Sequence, residues 1–142
     1  MLQEFYYCNP HVKFYLNNIY NTHFTGSELW NLFGPEMDKI VKTWNVSCRK
    51  IFNIPLNTHK FLIEPITGSQ HLKFKLLKKF LKFIYNVKSH SKNIVRNLYS
   101  VICNDTNSIT GSNLRNLMIL VNSSSVNNIS CKQIDSLIFF TV

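Results

Sequence analysis

The sequence predicts an all-α protein, an irregular bundle of about five helices with a weakly ordered C-terminal tail. Apolar residues recur at helical spacing in several windows, and prolines follow Asn9 and Gly34 where helices would open. Clusters of glycine, proline, serine and asparagine cut the chain into segments of helix length. The 142 residues, 45% apolar and 13% aromatic, supply one core of ordinary size and are too apolar for a disordered basic tail. The expected organisation is one helical domain over residues 1–121, then a Ser/Asn-rich linker and tail over 122–142.

The first helix starts with Asn9 as N-cap and Pro10 at the first helical position, with Val12, Tyr15, Leu16, Ile19 and Tyr20 as its apolar set. Gly26 marks an interruption, after which a short apolar helix through Trp30 and Phe33 is expected to stop at Gly34. Pro35 opens a longer helix. Its Glu36 and Asp38 suit the positive end of the helix dipole and Arg49 and Lys50 the negative end, with Met37, Ile40, Val41, Trp44, Cys48, Ile51 and Phe52 on the buried side. Two prolines and a glycine make residues 54–69 an irregular connection with one short helical turn around Phe61 to Ile63. A basic helix follows from about Gln70 to Val87, then a break at KSHS and a helix from about Lys92 to Cys103. A short helix capped by Ser112 comes next. NSSSVNNIS is a linker by composition, and CKQIDSLIFFTV fits either a strand or a frayed helix.

The basic helix holds the most specific signal. Between His71 and Tyr99 eight lysines and arginines meet no carboxylate, and the acid-free interval runs from after Glu64 to before Asp105. At about 100° per residue, Lys75, Lys78, Lys79 and Lys82 share one sector roughly 100° wide. Leu72, Leu76, Leu77, Phe80, Leu81, Phe83, Ile84 and Val87 fill the opposite, larger arc, and only Lys73 intrudes on it. A solvated helix face usually mixes both signs of charge. A lysine stripe on a core-anchored helix instead suits a row of phosphates. The net charge of +9 and pI near 9.5 agree with a polyanionic partner, nucleic acid or an anionic membrane surface.

Other chemistry finds little support. Cys8, Cys48, Cys103 and Cys131 are widely spaced, form no C-x-x-C pair and have no clustered histidines, so reduced, mostly buried thiols are expected and no metal site. Eighteen asparagines and no alanine indicate compositional bias, so asparagine-rich patches carry no functional weight by themselves. The N-terminus lacks a signal-peptide pattern and the apolar run LIFF is too short to span a bilayer, so an intracellular, non-secreted protein is expected. There is no G-x-S-x-G, H-E-x-x-H or phosphate-binding glycine loop, and the TGS repeats at Thr25, Thr67 and Thr110 read as turns or caps. Trp30, Trp44 and Tyr20 are assigned to the core, and His59 to a capping or loop-fixing hydrogen bond.

An ordered series of short motifs adds a family resemblance: Ile19-Tyr20-Asn21, Thr25-Gly26-Ser27 with Leu29-Trp30, KTWN at Lys42 to Asn45, Arg49-Lys50-Ile51-Phe52, Ile54-Pro55, Thr58-His59, the basic helix and NSITGSNLRNLM. In this order and spacing they resemble the region just downstream of the polymerase core in reverse transcriptases of non-LTR retrotransposons, particularly animal jockey-like elements, over nearly the whole chain. The resemblance implies a helical thumb and connector that holds RNA or an RNA:DNA duplex behind the active site. Lys75, Lys78, Lys79 and Lys82 would then contact backbone phosphates, and Arg49 and Lys50 would add a second contact or orient the neighbouring loop.

The departures are as informative. DNA synthesis requires paired carboxylates to hold two divalent ions, and the only aspartates here, Asp38, Asp105 and Asp135, are never adjacent. The palm, fingers and endonuclease of the family are missing, so the expectation is a truncated, non-catalytic piece with no cofactor, no metal and no small-molecule substrate. The alternative is a helical protein-interaction or membrane-surface module using the same amphipathic helix.

Overall fold

The computed structural model describes residues 8–22, 26–68, 70–105, 107–130 and 133. Six α-helices form in the order α1 (Pro10–Thr22), α2 (Pro35–Ile51), α3 (Ile63–Thr67), α4 (Leu72–Lys88), α5 (Asn93–Asn104) and α6 (Ile109–Leu120). Short 3-10 helices lie at Ser27–Leu29, Lys60–Leu62 and Val126–Asn128. The described residues include no strand, which agrees with the all-α expectation.

α4 is the centre of the bundle. Leu72, Leu76, Leu77, Phe80, Leu81, Ile84 and Val87 are all buried, and Phe83 packs on the core in part, so nearly the whole apolar arc read from the sequence is used. α2 contributes Met37, Trp44 and Cys48, α3 Ile63, and α6 Leu114 and Leu117. α1 adds Phe14, its ring 5.4 Å from Phe52 and 6.2 Å from Trp44. α5 packs beside both α4 and α6.

The first two α-helices begin as expected. Asn9 Oδ1 accepts the His11 N–H at 2.9 Å, and Pro35 fills the first position of α2, where a missing N–H costs nothing. Asn53 and Asn122 take left-handed backbone (φ 52° for both) after α2 and α6. Behind them Ile54 N–H donates to Arg49 O at 2.8 Å and Ser123 N–H to Met118 O at 3.0 Å, closing two matching C-terminal turns. Asparagine tolerates this conformation better than most side chains.

Three local expectations are corrected. No helix runs through Trp30 and Phe33; Ser27–Leu29 is a 3-10 helix and Trp30 is extended. The cause is Asn113 of α6, which is fully buried. Its Oδ1 accepts the Leu32 N–H at 3.0 Å and its Nδ2 donates to the Trp30 carbonyl at 2.6 Å, so backbone groups that a helix would use are bonded to a side chain. α6 is capped by Ser108, four residues before Ser112, with Ser108 Oγ accepting the Gly111 N–H at 2.9 Å. In the first turn of this helix Gly111 lies against the end of α5: a Cβ there would stand 2.5 Å from the Asp105 carbonyl oxygen and 2.7 Å from that of Ile102. The third correction concerns thiols, because Cys103 is exposed while Cys48 is buried and Cys8 half-buried. Cys131 lies outside the described residues.

The segment after α6 has the composition of a linker, yet Ile129 is 2% exposed and joins the core, and Tyr85 Oη donates to its carbonyl. Apart from Gln133, the tail from Cys131 onward, with the choice of strand or frayed helix, lies outside the described residues, as does the Tyr20 side chain.

Replacing Asn113 by alanine would leave the Leu32 N–H and the Trp30 carbonyl buried without their partner, and is expected to cost about 2–4 kcal/mol of unfolding free energy in urea titration. Gly111→Ala should cost about 1–3 kcal/mol by forcing α5 and α6 apart. Unchanged denaturation midpoints would contradict both contacts.

Candidate nucleic-acid interface

α4 has no acidic residue in its first turn, and its N-cap is His71, whose Nδ1 accepts the Lys73 N–H at 3.3 Å. Accepting that bond requires a neutral ring. Burial holds the His71 pKa below its ordinary value, helped by the positive charges of Lys60 and Lys73.

The four stripe lysines share one side of α4, as the helical wheel requires, but they do not share one environment. The Lys75 amine lies 5.9 Å from the Trp44 ring centroid, and desolvation lowers its pKa against the opposing influence of Cys48. Lys78 Nζ donates to Gln70 Oε1 at 2.8 Å, and Lys79 Nζ stands 3.3 Å from Glu28 Oε1. Lys82, nearer the C-terminal end, is exposed. Lys73, the one cation inside the apolar arc, lies 5.4 Å from the Phe33 ring.

Arg49 and Lys50 differ in their surroundings. Arg49 Nη2 donates to the Thr58 carbonyl at 2.7 Å and so fixes the loop after α2, while Lys50 is exposed at the helix end. His59 does not cap with its side chain; the imidazole lies 4.1 Å from the Phe61 ring, tilted by 43°. Its backbone carbonyl accepts the Leu62 N–H at 3.1 Å.

Further cations collect at the α4–α5 corner. Lys92 is the N-cap residue of α5 and Arg96 is one turn on; both are exposed, and Arg96 bonds to Asn93. Lys88 is half-buried, bonded to Asn127 and 5.7 Å from the Tyr99 ring. The acid-free interval contained these residues, but a wheel drawn for α4 alone could not show how a second helix adds to its exposed end. The exposed lysines and arginines of the acid-free interval are therefore Lys82 on α4 and Lys92 and Arg96 at the start of α5, whereas Lys78 and Lys79 meet Gln70 and Glu28 and Lys75 lies against Trp44.

Elsewhere, a groove of about 340 Å³ runs along α2 between Ile40, Thr43, Trp44, Ser47 and Leu72, with the Glu36–Lys39 ion pair (2.8 Å) beside it. Gly26 (φ 83°) and Gly68 (φ 61°) take left-handed backbone, at the start of the Ser27–Leu29 3-10 helix and at the end of α3. Burial raises the Cys48 thiol to about 11. Among the described residues no group of three or more His, Cys, Asp or Glu side chains could hold a metal ion, and no helix is long and apolar enough to cross a membrane. No protein-family model, curated protein or solved structure matches the chain.

Because the folded pKa of His71 lies below the unfolded value, the unfolded chain binds more protons between the two, and stability is lost as pH falls through that window. Going from about pH 7.5 to about pH 5, thermal melts of the native protein should lose more stability than those of His71→Asn, which keeps a capping oxygen but cannot titrate. Parallel pH profiles would refute this.

Proposed function

We propose that the chain is a non-catalytic helical module that binds the sugar-phosphate backbone of RNA or an RNA:DNA duplex. This is the role implied by its resemblance to the thumb and connector region of non-LTR retrotransposon reverse transcriptases. The observation that carries the reading is the exposure of Lys82 on α4 and of Lys92 and Arg96 at the start of α5, within an interval of sequence that holds no carboxylate. Phosphates neutralised by such groups release condensed counterions, which gives affinity without base preference. Lys78 and Lys79 join by exchanging Gln70 and Glu28 for phosphate oxygens, Lys50 adds an outlying contact, and Lys75 and Arg49 hold the fold around them. A cytoplasmic or nuclear location follows from such a partner.

A second reading, a protein-interaction or membrane-surface module, has its own observation. α5 exposes Ile94, Leu98 and Val101, which lie on one face at helical spacing. Flotation of nuclease-treated protein with anionic vesicles tests it directly.

For the first reading, fluorescence anisotropy with a blunt RNA:DNA duplex should show log affinity falling linearly with log salt, with a slope of about −2 to −4 if three or four phosphates are neutralised. The triple reversal Lys82→Glu, Lys92→Glu, Arg96→Glu should weaken binding at least about tenfold at low salt, whereas Lys75→Gln should change it less than about threefold. Affinity that is flat in salt, or equal for the triple variant and the native chain, would reject the proposal.

A further inference from the structure

Beyond the backbone cations, the loop that joins α2 to α3 presents an aromatic pair to solvent. Phe61 is 53% exposed, and the exposed His59 ring lies 4.1 Å from it. Phe61 is thus kept outside the core, with its ring tilted by 43° against an imidazole.

The pair is held in place. The Arg49 guanidinium bonds the Thr58 carbonyl at 2.7 Å, Thr58 N–H donates to the Pro55 carbonyl at 3.0 Å, and Leu62 N–H donates to the His59 carbonyl at 3.1 Å. These bonds fix the backbone on both sides of His59, so a ligand would not have to order the loop. Lys60 lies between the two rings in sequence and is exposed, as is Lys50 at the end of α2. The carboxylate on the adjoining helix, Glu64, is half-buried, and burial raises its pKa. Flat rings beside cations on a pinned loop suit a nucleobase, whose π-face stacks on the ring while the phosphates on either side meet the ammonium groups.

We infer that the loop over residues 53–61 is a stacking site for an unpaired base of single-stranded nucleic acid, with His59 and Phe61 as the platform and Lys60 and Lys50 at the flanking phosphates. The inference rests on the backbone-binding reading and extends it. α4 begins close to this loop, since Lys60 and His71 line one crevice, and runs 17 residues, about 24 Å at 1.5 Å per residue, to the α4–α5 corner. A duplex held near the far end of α4 would need a single-stranded extension at least that long to reach the loop.

The test measures anisotropy of the full chain with two labelled probes, a blunt RNA:DNA duplex and the same duplex carrying a single-stranded extension long enough to reach the loop. The extension should tighten binding by about tenfold, as expected for one or two stacked bases. Phe61→Ala should abolish that gain while leaving blunt-duplex affinity within about twofold, and Phe61→Trp should keep or enlarge it, with circular dichroism checking that both variants remain helical. Blunt-duplex binding with no gain from the extension, or a gain that survives Phe61→Ala, overturns the stacking site alone and leaves Phe61, with the exposed Leu56 and Leu62, to an apolar partner. Binding of neither probe overturns the backbone reading as well.

Discussion

Burial of α4 on several sides is the constraint from which the other features follow. Seven of its side chains are buried, with α2 and the 3-10 helix at Ser27–Leu29 packed along it and α5 beside it. Removing that much apolar surface from water is the largest favourable contribution available to a chain of this size. A helix enclosed in this way has only a strip left for polar groups. Trp44, Gln70 and Glu28 lie across the part of the strip nearer the N-terminus and meet Lys75, Lys78 and Lys79, while Lys82 meets solvent.

Around this apolar centre a few polar and small residues set the path of the chain. Asn113 replaces helical hydrogen bonds at Trp30 and Leu32, and thereby lets the 30–34 segment pass under α6 as a turn rather than as a helix. Gly111 permits the end of α5 to approach α6 to a distance that no other residue would allow. Asn53 and Asn122 end α2 and α6 with the same geometry. These asparagines stand in a chain so rich in asparagine that composition alone gives them no distinction, yet each occupies a position where a short amide is physically suited.

The surface left over is basic and, in places, apolar. α5 illustrates this: it has no fully buried residue, packs through Tyr99 and Ile102, and turns Ile94, Leu98 and Val101 outward. Exposed cations stand on α4, α5 and the loop after α2, and ion pairs form between Lys39 and Glu36 and between Lys79 and Glu28. Such an excess of one sign is costly for compactness through self-repulsion and favourable for meeting a polyanion. The proposed backbone contact would relieve that repulsion.

Periodicity alone determined much of this protein. The order of the longer helices, the start of α1 and α2 at Pro10 and Pro35, and nearly the whole buried arc of α4 were legible because each depends on spacing along one helix or on a local backbone rule. The cap at Ser108, the absence of a helix at Trp30, the anchoring of Ile129, the contact of the His59 and Phe61 rings and the separate fates of the four stripe lysines were decided only in the folded chain. Each of these depends on a partner between two and more than eighty residues away. A helical wheel gives the direction in which a lysine points; what it meets there depends on which other element has packed across that direction.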